Sequence, residues 1–239
     1  MSTHQDTGSL HPILAKLKGG LIVSCQAGEG NPLRGPEIMA RMAQAAEIAG
    51  AVGTRVESPA DINAVMAATT IPCLGIYKVD YPDSDVRITP TLDDTRAIIA
   101  TGCPMIALDA TNRPRPNGER LQDSVRAIHD AGLLAFGDCA TRDDLEGALS
   151  AGCDAIGTTL SGYTAESATD STEPDLDLVA WFVTHSPVPV YAEGRYWTPQ
   201  QVAAALELGA HCVVVGTAIT NPMKTTSYFI NEAQRLLNA

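Results

Sequence analysis

The amino-acid sequence predicts an α/β protein, a (β/α)8 TIM barrel with a short N-terminal helix, on three observations. Eight short apolar, β-branched runs alternate with segments whose apolar residues recur at helical spacing. Each run is nearly continuous in hydrophobicity, the pattern of a strand covered by helices on both faces and hence of parallel pairing. The units average roughly 27 residues and follow one another without a linker, which favours a closed barrel over an open doubly wound sheet.

From the amino end, residues 1–9 are polar and form an expected flexible tail, and residues 10–239 form one barrel domain. Residues 10–18 read as a short helix across the barrel's bottom. Strands are expected at 20–26, 51–57, 73–78, 105–111, 133–139, 155–161, 188–193 and 212–219. After the first of them, residues 36–49 carry an apolar stripe of Ile38, Met42, Ala45 and Ile48, and residues 198–208 carry Val202, Ala205 and Leu206. Pro36 and Pro199 sit where a first helical turn tolerates a missing N–H. Gly50, Gly102, Gly132, Gly152 and Gly209 follow last turns, where a left-handed cap is wanted. Gly28-Glu29-Gly30 offers weak support for a nucleotide-binding loop, because Leu33 stands where the third glycine belongs and no helix starts at once.

The 28 acidic residues against 16 lysines and arginines give a net charge of −12, which makes nucleic acid or an anionic membrane a poor partner. No stretch reaches the ~18 uninterrupted apolar residues of a membrane span, and the amino end lacks an apolar signal region, so a soluble, cytoplasmic protein is expected. The six cysteines are scattered singly through apolar runs without CxxC spacing and read as reduced core residues.

Barrel active sites lie at the carboxyl ends of the strands. Polar residues gather there: Gln26, Arg55 and Glu57, Lys78, Asp109 and Thr111, Asp138, Thr159 and Ser161, Glu193, and Thr217. In an acidic chain, Arg55, Lys78, Arg113, Arg115 and Arg195 all fall at or just past strand ends, so the mouth has the character of an anion site. Taken singly, each could equally serve a rim salt bridge. Phosphate is the natural anion, because the loops after the seventh and eighth strands form the usual cradle of such barrels. Here those loops hold Gly194, Arg195, Gly216 and Thr217, although tight turns alone would also use the glycines. The histidines avoid the mouth: His4 and His11 fall in the tail, His129 and His185 late in helices, and His211 at the bottom entrance of the eighth strand. No metal-ligand set and no Cys–His or Ser–His pair is apparent, which leaves proton transfer by lysine and carboxylates with no metal and no cofactor.

Six ordered blocks carry a family resemblance: Leu21-Ile22-Val23-Ser24-Cys25-Gln26, Gly75-Ile76-Tyr77-Lys78, Arg87-Ile88-Thr89-Pro90-Thr91, the stretch 157–164 with Thr159, Ser161 and Tyr163, Ala192-Glu193-Gly194-Arg195-Tyr196, and Gly216-Thr217-Ala218-Ile219-Thr220. Together they resemble the N-acetylmannosamine-6-phosphate 2-epimerase family over nearly the whole chain. The resemblance implies an isomerase of sialic-acid catabolism acting on a phosphorylated amino sugar, and a homodimer is expected. It implies Lys78 and Glu193 as the proton-transferring pair, Arg55, Asp138 and Gln26 around the sugar and its developing oxyanion, and Gly194, Arg195, Gly216 and Thr217 at the phosphate. Thr159, Ser161 and Tyr163 are expected to line the sugar. Relatives commonly place an arginine directly after the Ala-Ile-Thr of the last strand, where this chain has Asn221 followed by Pro222. Gly137 before Asp138 is a second, lesser departure.

The chemistry of those residues agrees. The hydrogen on the carbon bearing the acetamido group becomes acidic only beside an open-chain aldehyde, so the site must remove it, hold an enediolate-like anion and return a proton to the other face. An ordinary lysine amine, near 10.4, has to fall to about 7–8 to act as a base. Burial and Arg55 would lower Lys78 and Glu193 would raise it, so the two should titrate as a pair. Two other readings stay open: a Schiff-base aldolase or lyase with Lys78 as nucleophile, and a non-catalytic barrel that binds a sugar phosphate.

Overall fold

The computed structural model describes residues 10–238, and the tail expected over residues 1–9 lies outside them. The elements run α1 (Pro12–Leu17), β1 (Leu21–Cys25), α2 (Pro36–Ile48), β2 (Gly53–Glu57), α3 (Pro59–Ala68), β3 (Cys73–Ile76), α4 (Leu92–Ile99), β4 (Met105–Asp109), α5 (Leu121–Asp130), β5 (Leu134–Asp138), α6 (Asp144–Ala151), β6 (Ala155–Gly157), α7 (Leu176–His185), β7 (Val190–Glu193), α8 (Pro199–Glu207), β8 (Cys212–Val215), α9 (Thr217–Thr220) and α10 (Pro222–Leu237). All eight strands pair in parallel with their chain neighbours, and β8 closes onto β1, with Leu21 opposite Val213 and Val23 opposite Val215. This is the expected (β/α)8 barrel.

Helix starts and stops follow the local chemistry. Thr91 and Thr198 close capping boxes with Asp94 and Gln201, and Pro36, Pro59 and Pro199 occupy first turns. At the other end Gly152 closes α6 with φ 93°, a conformation that L side chains resist.

The strands are shorter at their carboxyl ends than the apolar runs suggest. β3 stops at Ile76 rather than 78, β6 at Gly157 rather than 161, and β8 at Val215 rather than 219. The run past β8 is apolar because it winds into α9, which packs on β1, and an apolar run of this length does not distinguish a strand from a short helix.

Alternate strand residues point inward. Ile22, Leu74, Ile76, Met105, Ala107, Phe136, Ala155, Tyr191, Cys212 and Val214 fill the barrel as one buried cluster. Leu14 and Leu17 of α1 join it from below, and His211 fixes that helix by bonding the Leu14 carbonyl at 2.7 Å. The opposite row, including Val56, Ile106, Leu108 and Ile156, packs outward against the helices. Gly137 is explained by that outer layer: a Cβ there would lie 3.0 Å from Ala110 Cβ and 3.1 Å from Cys153 Sγ, so its absence lets α6 seat closely. All six cysteines are buried and unpaired. Among the described residues no helix is long and apolar enough to cross a membrane.

Candidate active site

The inward rows end, at the barrel's carboxyl face, in polar groups instead of apolar ones. On β1 the row Ile22, Ser24 continues to Gln26; β2 contributes Arg55 and β5 Asp138; β7 follows Tyr191 with Glu193. Lys78 comes from a ribbon beyond β3, not from the strand itself. There the chain turns back on itself, Lys78 bridging Ile88 in antiparallel fashion, with Val79 N bonded to Arg87 O at 3.1 Å and Thr89 N to Tyr77 O at 2.7 Å. Arg87 and Asp80 form an ion pair at the ribbon's rim, and buried Thr89, at φ 46°, bonds its hydroxyl to the Ala107 carbonyl at 2.6 Å. Lys78 therefore projects from a braced platform.

Beneath the mouth lies a three-membered charge network. The Arg55 guanidinium, 1% exposed, makes a two-pronged contact to Asp138 (Nη1–Oδ1 2.9 Å, Nη2–Oδ2 2.6 Å) and donates again from Nη1 to Glu193 Oε2 at 2.9 Å. It rests 6.0 Å above the Phe136 ring, where the apolar interior ends. Burial works against its charge, but Asp138 and Glu193 overcome this and raise its pKa further. Thr159 donates to the same Oε2 at 3.2 Å, and Thr158 both donates to the Glu193 carbonyl and accepts from its amide, at 2.9 and 3.1 Å. Both side-chain hydrogen bonds to Glu193 end on Oε2, so Oε1 is the oxygen left for a proton.

The two central groups are displaced toward each other in pKa. Desolvation pushes Glu193 up to about 7, helped by Asp138 and opposed by Arg55, the Thr159 hydrogen bond and Lys78. Lys78 is lowered, first by desolvation and then by Arg55, with Glu57 and Glu193 pulling the other way. Lys78 is exposed, so water reaching its amine tempers that lowering. Its Nζ donates to Gln26 Oε1 at 2.7 Å.

The other residues expected at the site are placed as follows. Arg55 and Asp138 are both buried; Arg55 holds Glu193 from below, and Asp138 holds Arg55. Ser161 is buried, its hydroxyl given to Asp175 Oδ2 at 2.6 Å. Arg195 bonds the Glu173 carbonyl through Nε at 2.7 Å and the Ser161 carbonyl through Nη1, which ties the β6–α7 loop to the end of β7 and leaves Nη2 for an anion. Tyr163 is largely exposed, its ring 5.8 Å from that guanidinium. Arg113 is paired with Asp109 at 2.5 Å, and buried Arg115 is spent on the carbonyls of Thr89, Pro90 and Asp109. These two cations brace the β4–α5 loop, so the mouth is less cationic than the sequence suggests.

In the turns after β7 and β8, Gly194 has φ 107°, and Gly216 abuts Ser24. The amides of Ile219 and Thr220 are the first in α9 to bond back to the Gly216 carbonyl, so those of Thr217 and Ala218 precede the helix's own hydrogen bonds. Asn221 caps α10, its Oδ1 accepting from Lys224 N at 3.1 Å. His11 likewise caps α1, its Nδ1 accepting from Ile13 N, and is not part of a loose tail. A cavity of about 530 Å³, lined by Arg142, Ser161, Asp175 and Arg195 among others, lies beside the mouth between the β5–α6 and β6–α7 loops; neither Lys78 nor Glu193 lines it. Among the described residues no three His, Cys, Asp or Glu side chains converge as a metal site.

Sequence reasoning passes over Ser24 and Thr158. Ser24 accepts from Gln26 Nε2 at 2.7 Å, and its place two residues before Gln26 on one strand is the signal that puts both on the inner face. Thr158 carries no such signal, since it lies past the end of β6.

Residues 39–235 match the family described as "Putative N-acetylmannosamine-6-phosphate epimerase". The chain is similar to proteins named "Putative N-acetylmannosamine-6-phosphate 2-epimerase" from Clostridioides difficile, at 46% identity over 91% of this chain and 97% of that protein, and from Listeria monocytogenes, at 44% over 94% and 96%. Among solved structures it resembles the N-acetylmannosamine-6-phosphate 2-epimerase from Clostridium perfringens, with a TM-score of 0.90 at 43% identity, covering 97% of this chain and 99% of that one.

Proposed function

Because the chain belongs to the N-acetylmannosamine-6-phosphate epimerase family, we propose that its mouth interconverts N-acetylmannosamine 6-phosphate and N-acetylglucosamine 6-phosphate by exchanging one proton at the carbon bearing the acetamido group. Lys78 and Glu193 are the exchanging groups. The observation that carries this reading is their placement at the carboxyl end of one barrel, Glu193 as the last residue of β7 and Lys78 on the ribbon just past β3, with Glu193 raised to about 7 and Lys78 lowered.

Epimerisation needs one proton between two groups. The deprotonated member takes the hydrogen from one face, and the electron pair of the broken C–H bond moves into the adjacent carbonyl, leaving an enolate oxygen. The protonated member returns a proton to the opposite face, and the carbonyl re-forms with the inverted centre. Arg55, buried under Glu193, supplies a fixed positive field for that oxygen, and the Lys78–Gln26 pair stands nearer to the mouth. The amides of Thr217 and Ala218, Gly194 and the free Nη2 of Arg195 form the phosphate end. We further propose that the reaction needs no metal, that it serves cytoplasmic sialic-acid degradation, and that the protein acts as a homodimer.

Turnover of N-acetylmannosamine 6-phosphate by EDTA-treated protein in D2O tests the chemistry. One deuterium should appear at the carbon next to the carbonyl in the product. Unlabelled product would refute proton transfer with solvent, and activity restored only by added divalent metal would refute the metal-free route.

A further inference from the structure

Lys78 is steered through an amide. Its Nζ donates to Gln26 Oε1 at 2.7 Å, and the same amide's Nε2 donates to Ser24 Oγ at 2.7 Å. Ser24 is 6% exposed, and its backbone is pinned by the Thr220 hydroxyl, which donates to its carbonyl at 2.7 Å. Gly216 closes over it so tightly that a Cβ there would lie 3.2 Å from Ser24 Cβ.

The two ends of a glutamine amide are opposites, because the oxygen only accepts and the NH2 only donates. Nothing but its partners decides which end faces a neighbour. Were the amide free to turn, its NH2 would oppose the donors of a Lys78 ammonium. The Ser24 oxygen removes that freedom by accepting from Nε2.

Resting on the proton-transfer reading above, we propose that Ser24 is a positioning residue for Lys78: it fixes Gln26 Oε1 toward Nζ, and the single N–H spent on that oxygen sets the amine's rotation so that its remaining positions face the mouth. Ser24 itself touches no substrate. Its carbonyl, held by Thr220, also links this relay to the loop at the phosphate end.

Ser24→Ala should lower kcat about tenfold, the worth of one neutral hydrogen bond, with KM held within about twofold. Ser24→Cys keeps the packing against Gly216 while weakening the acceptor, and should fall the same way; it carries the test if the alanine variant does not fold. In a Gln26→Ala background, Ser24→Ala should add nothing, because the relay is already cut. The Lys78 ionisation, followed by NMR of 15N-labelled lysine in the substrate-free protein, should move to lower pH in Ser24→Ala, since the oxygen that favours the ammonium is no longer fixed. A fully additive loss in the double variant, or an unmoved Lys78 ionisation in the folded single variant, overturns the proposal. Because the NMR arm needs no substrate, a wild-type protein that failed to turn over the sugar phosphate would sink the functional reading alone.

Discussion

Glu193 is held close to neutrality by a balance in which desolvation exceeds the pull of Arg55. Two outcomes follow. A pair that must share one proton loses its base when both groups are protonated and its acid when both are deprotonated, so kcat should trace a bell in pH whose limbs belong to the pair. The same shift bears on stability. The folded state binds the Glu193 proton more tightly than the unfolded chain does, so the group's contribution is fullest below pH 4.5 and is lost as pH rises through about 7. Glu193→Gln, which keeps an acceptor for Arg55 and Thr159, should therefore gain stability over wild type as pH climbs, by on the order of 2 kcal/mol at pH 8, while losing turnover. Equal denaturation midpoints at pH 5 and pH 8 would contradict the balance. Lys78→Ala should cut turnover at least about 100-fold in a folded protein, because the side chain sits at the rim and holds no core together; near-normal kcat would remove it from the mechanism. The placement of Glu193, Arg55 and Asp138 at the carboxyl face is legible in the sequence because a barrel strand delivers its last inward residue there, and Gln26 and Lys78 follow within two residues of a strand end. What each does is less legible. Arg115 and Arg195 look like free cations in the sequence, yet the first is wholly and the second partly committed to carbonyls whose positions depend on the paths of loops.

At the scale of elements, the loop between β6 and α7 is fastened to the end of β7 by Thr158 and Thr159 at its start and by Arg195 farther along. Arg195, itself at φ 61°, reaches the Ser161 and Glu173 carbonyls, and Gly162, at φ 83°, makes room for it. A Cβ at Gly162 would fall 1.8 Å from Arg195 Nη1, so Gly162→Ala must both strain the backbone and expel the guanidinium. The expected result is a KM raised about tenfold for the phosphorylated sugar, as a charge-assisted contact at the phosphate end is lost, with a Tm lowered by a few degrees. Unchanged KM would mean that Arg195 serves the loop alone. The eight strands and the turn-ending glycines are legible because burial on both faces and positive φ each leave a composition mark. The strand ends are not, since residues 217–219 are equally apolar as a strand or as the start of α9 and only packing against β1 decides. Asn221 shows the same limit. Its place after an Ala-Ile-Thr block marks a departure from the family pattern, but its cap on α10 appears only once the helix is placed.

At the scale of the whole molecule, α10 stands apart from the other long helices. It has sixteen residues and buries none of them, though Phe229 is 68% exposed and Ile230, Leu236 and Leu237 are exposed beside it. Tyr228 stacks on Trp197 at 4.8 Å and anchors the helix, but the rest of its apolar side faces outward. A surface of this kind is costly unless covered. A second copy of this chain suits it, because the chain's net −12 would drive two molecules apart over most of their surfaces whereas α10 carries Lys224 and Arg235 against the single acid Glu232. The self-repulsion is weakest where the apolar area is largest, and an isologous pair would bury both copies of the helix at once. Sedimentation of the wild-type protein should accordingly give a dimer at micromolar concentration. Phe229→Asp combined with Ile230→Asp should give a monomer with unchanged circular dichroism, since neither side chain supports the barrel. A wild-type monomer would refute the pairing, and a double variant that still sediments as a dimer would place the subunit contact on another face.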